Sequence, residues 1–143
     1  MTRTPCVPHA WLVATTFLLG ACGGTPGPGQ SGYAYNVRGV YAGRLQVEEE
    51  SFDAELELAT NLGGRVSGDF RVRRPLEIEG RVEGAIVDDL LRLSVTYRST
   101  GGTDCVGRID GILTIDRGGI GIDGPATISD CGDPLPGHMS FRR

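Results

Sequence analysis

Cysteine and histidine, the residue types most specific for nucleophilic and metal chemistry, are few in this chain of 143 residues. There are four cysteines, Cys6, Cys22, Cys105 and Cys131, and two histidines. A cysteine thiolate acts as a nucleophile, forms a disulfide or binds a metal, and its neighbours and redox compartment decide which. The placement of the cysteines therefore carries most of the chemical information in this sequence.

The sequence holds no clear catalytic or metal-binding motif. A serine or cysteine nucleophile needs a histidine base, and His138 is the only histidine after the first ten residues. Cysteine metal sites use closely spaced pairs, which the chain does not have. Glu77 and Glu79 share the outward face of a predicted strand, as surface charges do. We therefore predict no catalytic residue, no cofactor and no metal site.

Two further features match binding motifs only in part. The segment "GGIGID", residues 118–123, fits the start of a calcium-binding repeat, but such repeats act in stacked copies and only one is present. A hairpin turn explains it better. The acidic runs Glu48–Glu50 and Asp88-Asp89 fall at predicted turns, where we expect solvated carboxylates, with weak cation binding as the alternative.

The first 21 residues have the order of an export signal. Arg3 supplies a positive charge, and the apolar run "AWLVATTFLLG" follows at residues 10–20. That run is shorter than the roughly 20 residues that a membrane-spanning helix needs. A buried core helix is the alternative, but no segment elsewhere in the chain has a helical pattern that would pack against it.

The end of this leader, Leu19-Gly20-Ala21-Cys22, resembles the lipobox of bacterial lipoprotein precursors. In that family the cysteine is alkylated by diacylglycerol, the signal is cut before it, and the new amino terminus is acylated. The resemblance implies a signal peptide over 1–21 and lipidation of Cys22, with acyl chains such as palmitate as membrane anchor. By the family's sorting rule, Gly23 in place of aspartate implies the outer membrane of a Gram-negative cell. The alternative is ordinary cleavage near Ala21, which leaves Cys22 as a free thiol.

This leader also decides what is expected of the other cysteines. Cys6 is removed with the signal and Cys22 takes the lipid, so Cys105 and Cys131 remain. In an oxidising envelope compartment two remaining cysteines are expected to form one disulfide. Two reduced, inert thiols are the alternative.

The composition of the rest of the chain bounds its organisation and its partners. Residues 23–32, "GGTPGPGQSG", are rich in glycine and proline, and we predict a lipidated flexible tether over 22–38. Residues 39–143 are enough for one domain. The net charge of −4 argues against nucleic acid or anionic lipid as a partner, because both attract a basic surface.

Alternation of apolar and polar residues predicts that this domain is all-β. In "SFDAELEL" the side chains of Phe52, Ala54, Leu56 and Leu58 share one face, and acidic side chains occupy the other. Turn segments separate about eight such strands. They are predicted to begin near Gly39, Phe52, Arg65, Leu76, Leu91, Val106, Ile120 and Gly137.

Short connections between these strands predict an up-and-down antiparallel barrel. Glycines recur on the inward face, at Gly43, Gly68, Gly80 and Gly107, and favour a curved barrel over a flat sandwich. A membrane barrel is the alternative. The low aromatic content of 6%, the dense charged face and the terminal Phe141-Arg142-Arg143 argue against it.

A small soluble barrel whose first strand reads "RGVYAGRL" resembles the calycin group, which comprises lipocalins, fatty-acid-binding proteins and avidin. Lipocalins have Gly-x-Trp in the first strand and a late arginine that packs over the tryptophan. Here Gly39-Val40-Tyr41 and Arg142 occupy those places, with tyrosine in place of tryptophan and no room for the lipocalin C-terminal helix.

This resemblance implies an interior that binds one small apolar molecule. The alternative is that the inward aromatic side chains only form the core. The candidate lining residues are Tyr41, Phe52, Phe70, Tyr97, Met139 and Phe141.

Together these features predict a lipid-anchored envelope lipoprotein with a non-catalytic binding role, toward an apolar small molecule or an envelope protein. A purely structural lipoprotein without a ligand is the second hypothesis, and an enzyme of unidentified class is the third.

Overall fold

The computed structural model describes residues 23–73, 75–98 and 105–143 of the chain, and these residues form a closed barrel of eight antiparallel strands. Each strand begins within two residues of its predicted start, so the all-β, up-and-down prediction is confirmed. The strands are β1 (Arg38–Val47), β2 (Glu50–Thr60), β3 (Arg65–Val72), β4 (Ile78–Val87), β5 (Leu90–Arg98), β6 (Val106–Ile115), β7 (Gly121–Ser129) and β8 (Leu135–Arg142).

Neighbouring strands pair in chain order, and β1 pairs with β8 to close the barrel. Closure leaves no strand edge unpaired. Alternate residues point inward, and their side chains form one apolar core in which no charged or polar residue of the described chain is buried. Among the described residues, no helix is long and apolar enough to cross a membrane.

Inward glycines allow neighbouring strands to curve tightly. At Gly43, a Cβ atom would overlap the backbone of Ser140 and Phe141 on β8. Gly68 and Gly80 lie similarly close to the strands beside them. The interpretation of these glycines as sites of close curvature therefore agrees with the structure.

The two ends of the barrel differ. The connections β1–β2, β3–β4, β5–β6 and β7–β8 meet at one end, which we call the mouth. The other three connections and both ends of the barrel domain meet at the opposite end, which we call the closed end. Residues 26–37, which we call the strap, lie across the closed end.

Hydrogen bonds hold the strap against the turns of the closed end. The Gly118 amide donates to the Ala34 carbonyl at 2.6 Å, and the Tyr33 hydroxyl donates to the Asp88 carbonyl at 2.8 Å. Tyr33 and Tyr35 also pack against the core. The strap thus forms defined contacts within the segment whose composition predicts a flexible tether.

The closed end also contains Tyr41, the residue that the resemblance to lipocalins compares with their first-strand tryptophan. Tyr41 is fully buried, and its hydroxyl donates to the Gly119 carbonyl at 2.7 Å and accepts from the Arg38 amide at 3.3 Å. Burial raises the pKa of this phenol, while the nearby positive charge of Arg143 lowers it. The resemblance predicts Arg142 beside this residue, but Arg142 points outward, because strand alternation turns only every second side chain inward and Phe141 is the inward one. The arginine whose charge lies near Tyr41 is Arg143.

Candidate functional site

A cavity of about 670 Å³ opens at the mouth of the barrel. Its volume lies in the range of small-molecule sites. Inward apolar side chains from six strands form its wall, and residues of the mouth connections and of the strand ends beside them form its rim. The wall residues are Leu45, Phe52, Ile78, Tyr97, Ile109 and Ile128, and the rim residues are Val47, Glu48, Glu49, Glu50, Leu76, Asp130 and Leu135.

Tyr97 is the one wall residue with a polar group. Its side chain is 4% exposed, and its ring lies against Gly107 on β6, where a Cβ atom would overlap the ring. Burial, followed by the charge of Asp130 and a hydrogen bond with its carboxylate, raises the pKa of Tyr97 to about 12. The phenol is therefore neutral at physiological pH and donates its proton toward the rim.

Carboxylates dominate the rim. Glu48 and Glu49 form the β1–β2 turn, Glu50 begins β2, and all three are exposed. None of the three forms an ion pair with another residue that the structure describes. Asp130 adds a fourth carboxylate beside Tyr97. An apolar wall with a negatively charged rim accommodates an apolar body and exposes its polar end to carboxylates.

A disulfide joins two of the mouth connections. Cys105 immediately precedes β6 and Cys131 follows β7, and their Cα atoms lie 5.9 Å apart, a separation typical of disulfides. This is the pairing that the cysteine count predicts. Asp130 lies close enough to both sulfur atoms to complete a three-residue metal-binding group, but sulfur atoms bonded to each other are not thiolate ligands.

The six candidate lining residues separate into two groups. Phe52 and Tyr97 lie in the mouth wall. Tyr41 is hydrogen-bonded at the closed end, and the other three are core residues, with the rings of Phe70 and Phe141 in edge contact at 6.4 Å. Met139 is fully buried. The interior below the mouth is therefore filled by side chains, as the alternative interpretation of these residues expects.

Sequence reasoning did not associate the rim with the wall, although a signal for it exists. In an up-and-down barrel every second connection along the chain lies at the same end, so the first, third, fifth and seventh connections meet there. Glu48 and Glu49 form the first of these connections, Glu50 begins the strand after it, and Asp130 belongs to the last connection. Phe52 and Tyr97 each lie within two residues of a strand end at the mouth. The topology alone would have brought these side chains together.

A serine, a histidine and an aspartate also meet on the outside of the barrel, at β7 and β8. Asp123 lies between the other two: His138 Nε2 is 3.1 Å from its Oδ1, and Ser140 hydrogen-bonds to it. These contacts, chiefly the one with His138, hold the pKa of Asp123 below its usual value. In a catalytic triad the histidine lies between the serine and the carboxylate. This order does not activate the serine.

The fold and the mouth define the protein as a small closed β-barrel with an apolar cavity at one end. Comparisons with protein-family models and with curated proteins give no match. Among solved structures, the chain is similar to EF1p2_mFAP2b bound to DFHBI, with a TM-score of 0.60 and 13% identity over 75% of this chain and 93% of that chain. At this identity the likeness concerns the fold alone.

Proposed function

We propose that this protein is a non-catalytic binding protein that holds a small apolar molecule at the mouth of its barrel. The observation that carries the proposal is the cavity of about 670 Å³, whose wall comes from six strands. Burial of an apolar body against such a wall contributes about 25 cal/mol per Å² removed from water. A barrel of similar fold, EF1p2_mFAP2b, is bound to DFHBI.

The proposed ligand lies at the mouth, since the deeper interior is occupied. Tyr41, Phe70 and Phe141 fill the barrel below the wall residues, and all three are at most 2% exposed. The occupied volume is therefore the shallow end, between Phe52 and Tyr97. This arrangement favours a compact molecule over a long acyl chain that would need the full length of the barrel.

The test is fluorescence titration of the purified protein with N-phenyl-1-naphthylamine, a neutral probe that brightens in apolar surroundings. Phe52→Asp places a charge in the wall and is expected to weaken binding at least about tenfold, because a carboxylate is costly to desolvate. Val87→Asp is the matched control, since Val87 is 56% exposed. Absence of probe binding, or equal binding by both variants, would favour a structural protein without a ligand.

We also propose that the protein is a lipid-anchored envelope lipoprotein, on the strength of the lipobox-like sequence that ends at Cys22. Residues 1–22 lie outside the described residues, so this proposal rests on the sequence alone. Cys22→Ser is expected to leave the precursor uncleaved and unlabelled by a radioactive fatty acid, with Cys6→Ser as control. Normal maturation of Cys22→Ser would contradict the anchor.

A further inference from the structure

The distribution of charge around the mouth narrows the class of ligand. Several carboxylates on the outer wall form ion pairs with arginines, at N–O distances of 2.8–3.9 Å, whereas Glu57, Asp69 and Glu83 form none with another described residue. The paired carboxylates are Asp53 with Arg44, Glu55 with Arg73, Glu79 with Arg71, and Asp110 with Arg108.

The rim carboxylates of Glu48–Glu50 have no such partner among the described residues, and no arginine or histidine of the described chain lines the cavity. The carboxylate of Asp130 accepts a hydrogen bond from the neutral phenol of Tyr97, and this bond does not neutralise its negative charge. The described residues that line the cavity therefore carry up to four negative charges, above an apolar wall.

We propose that the mouth selects hydrophobic cations, that is, small molecules in which an apolar body adjoins a positively charged amine or quaternary ammonium group. This proposal rests on the proposed binding function and adds the charge of the ligand to it. The apolar body contacts the wall around Phe52 and Tyr97, and the positive group lies among the rim carboxylates. Charges above a low-dielectric wall attract cations more strongly than the same charges on an open surface.

The same arrangement excludes anions. A carboxylate or sulfate placed at the rim would meet Glu48–Glu50 and Asp130 with no compensating cation among the described residues that line the cavity. Like-charge contact of this kind opposes binding. A fatty acid would therefore bind less tightly than an amine with the same alkyl chain.

The test uses three probes with the same alkyl chain: decyltrimethylammonium, decanol and decanoate, each below its micellar concentration, in calorimetric titrations of the mature protein at pH 7. We expect decyltrimethylammonium to bind at least about tenfold more tightly than decanoate, with decanol between them. Raising the salt concentration from about 20 mM to 500 mM should weaken the binding of decyltrimethylammonium and leave that of decanol unchanged.

Substitution of all of Glu48–Glu50 by glutamine is expected to lower the affinity for decyltrimethylammonium about tenfold and to leave the affinity for decanol unchanged. The matched control is the triple variant Glu57→Gln, Asp69→Asn and Glu83→Gln, which removes the same charge from exposed positions outside the cavity. Equal affinities for the cation and the anion, or a salt-independent affinity for the cation, would overturn the charge proposal while leaving the binding function intact. Failure of these three probes and of N-phenyl-1-naphthylamine to bind would overturn the binding function itself.

Discussion

Tyr97 links the wall of the mouth to its rim and makes the stability of the protein depend on pH in the alkaline range. Its phenol has a pKa of about 12 in the folded protein, against an ordinary value of 10.0, chiefly because it is buried and secondarily because Asp130 is near. Between these values the unfolded chain has lost the proton that the folded protein still holds. The contribution of Tyr97 to the free energy of unfolding is therefore fully present below pH 10 and is lost as the pH rises from 10 toward 12.

Tyr97→Phe is expected to reduce the alkaline loss between pH 9 and pH 11.5 by roughly 2 kcal/mol, since one pKa unit corresponds to about 1.4 kcal/mol and this interval covers most of the shift. The loss should not vanish, because the pKa values of Tyr33 and Tyr41 are raised as well. Urea unfolding at pH 9 and pH 11.5 measures the effect. An unchanged difference between the two pH values in the variant would show that Tyr97 does not hold its proton in this way.

Glu48 occupies a backbone conformation that suits other residues better. Its φ of 53° lies in the left-handed region, which asparagine adopts at lower cost than glutamate. We expect Glu48→Asn to raise the free energy of unfolding by about 0.5–1 kcal/mol in urea unfolding. Glu49→Asn is the control because Glu49 has no positive φ. Equal stabilisation by both variants would assign the effect to lost charge repulsion.

At the residue scale, the sequence predicts which side of the sheet a side chain faces but not its depth in the barrel. Period-two alternation placed Tyr41, Phe52, Phe70 and Tyr97 inside, and all four are inside. Whether such a side chain lines the mouth or fills the core depends on the stagger between strands. That stagger arises from pairing across the whole barrel, which alternation within one strand does not encode.

Strand β6 contains two inward glycines whose surroundings differ: one lies in close contact with a neighbouring side chain, and the other has ordinary packing distances around it. A Cβ atom at Gly107 would overlap the ring of Tyr97, whereas at Gly111 its nearest neighbours would lie at 3.4–3.5 Å. Gly107→Ala is therefore expected to displace the ring and lower the free energy of unfolding by about 1–3 kcal/mol. Gly111→Ala should change it by less than about 1 kcal/mol. Thermal unfolding of both variants tests this, and similar losses in both would contradict it.

At the element scale, the positions of the strands can be predicted from the sequence, but the ordered contacts of the strap cannot. Strands are predictable because an alternating face must be buried, whatever the neighbours are. Residues 23–32 have little to bury, so their composition indicates a flexible segment. The strap is held instead by turn hydrogen bonds, such as that from the Gly29 amide to Asn36 Oδ1 at 2.8 Å, and by tyrosines that follow the glycine-rich stretch.

At the scale of the whole molecule, the disulfide stabilises the fold mainly by lowering the conformational entropy of the unfolded chain. Cys105 and Cys131 are 26 residues apart, so the bond closes a loop that spans β6 and β7. Loop-closure entropy for this length corresponds to roughly 3 kcal/mol. Reduction should therefore lower the melting temperature by several degrees, measured by differential scanning calorimetry. The Cys105→Ser/Cys131→Ser variant should melt at the lower temperature with or without reductant, and an unchanged melting temperature on reduction would contradict the bond's contribution.

The position of the strap also determines which end of the barrel would face a membrane to which the protein is anchored. Cys22 precedes Pro26 by four residues, a separation that an extended chain spans in no more than about 14 Å. If Cys22 carries the proposed lipid, the closed end is tied near the bilayer surface and the mouth faces away from it. Ligands would then enter and leave through the aqueous compartment, without passing through the bilayer.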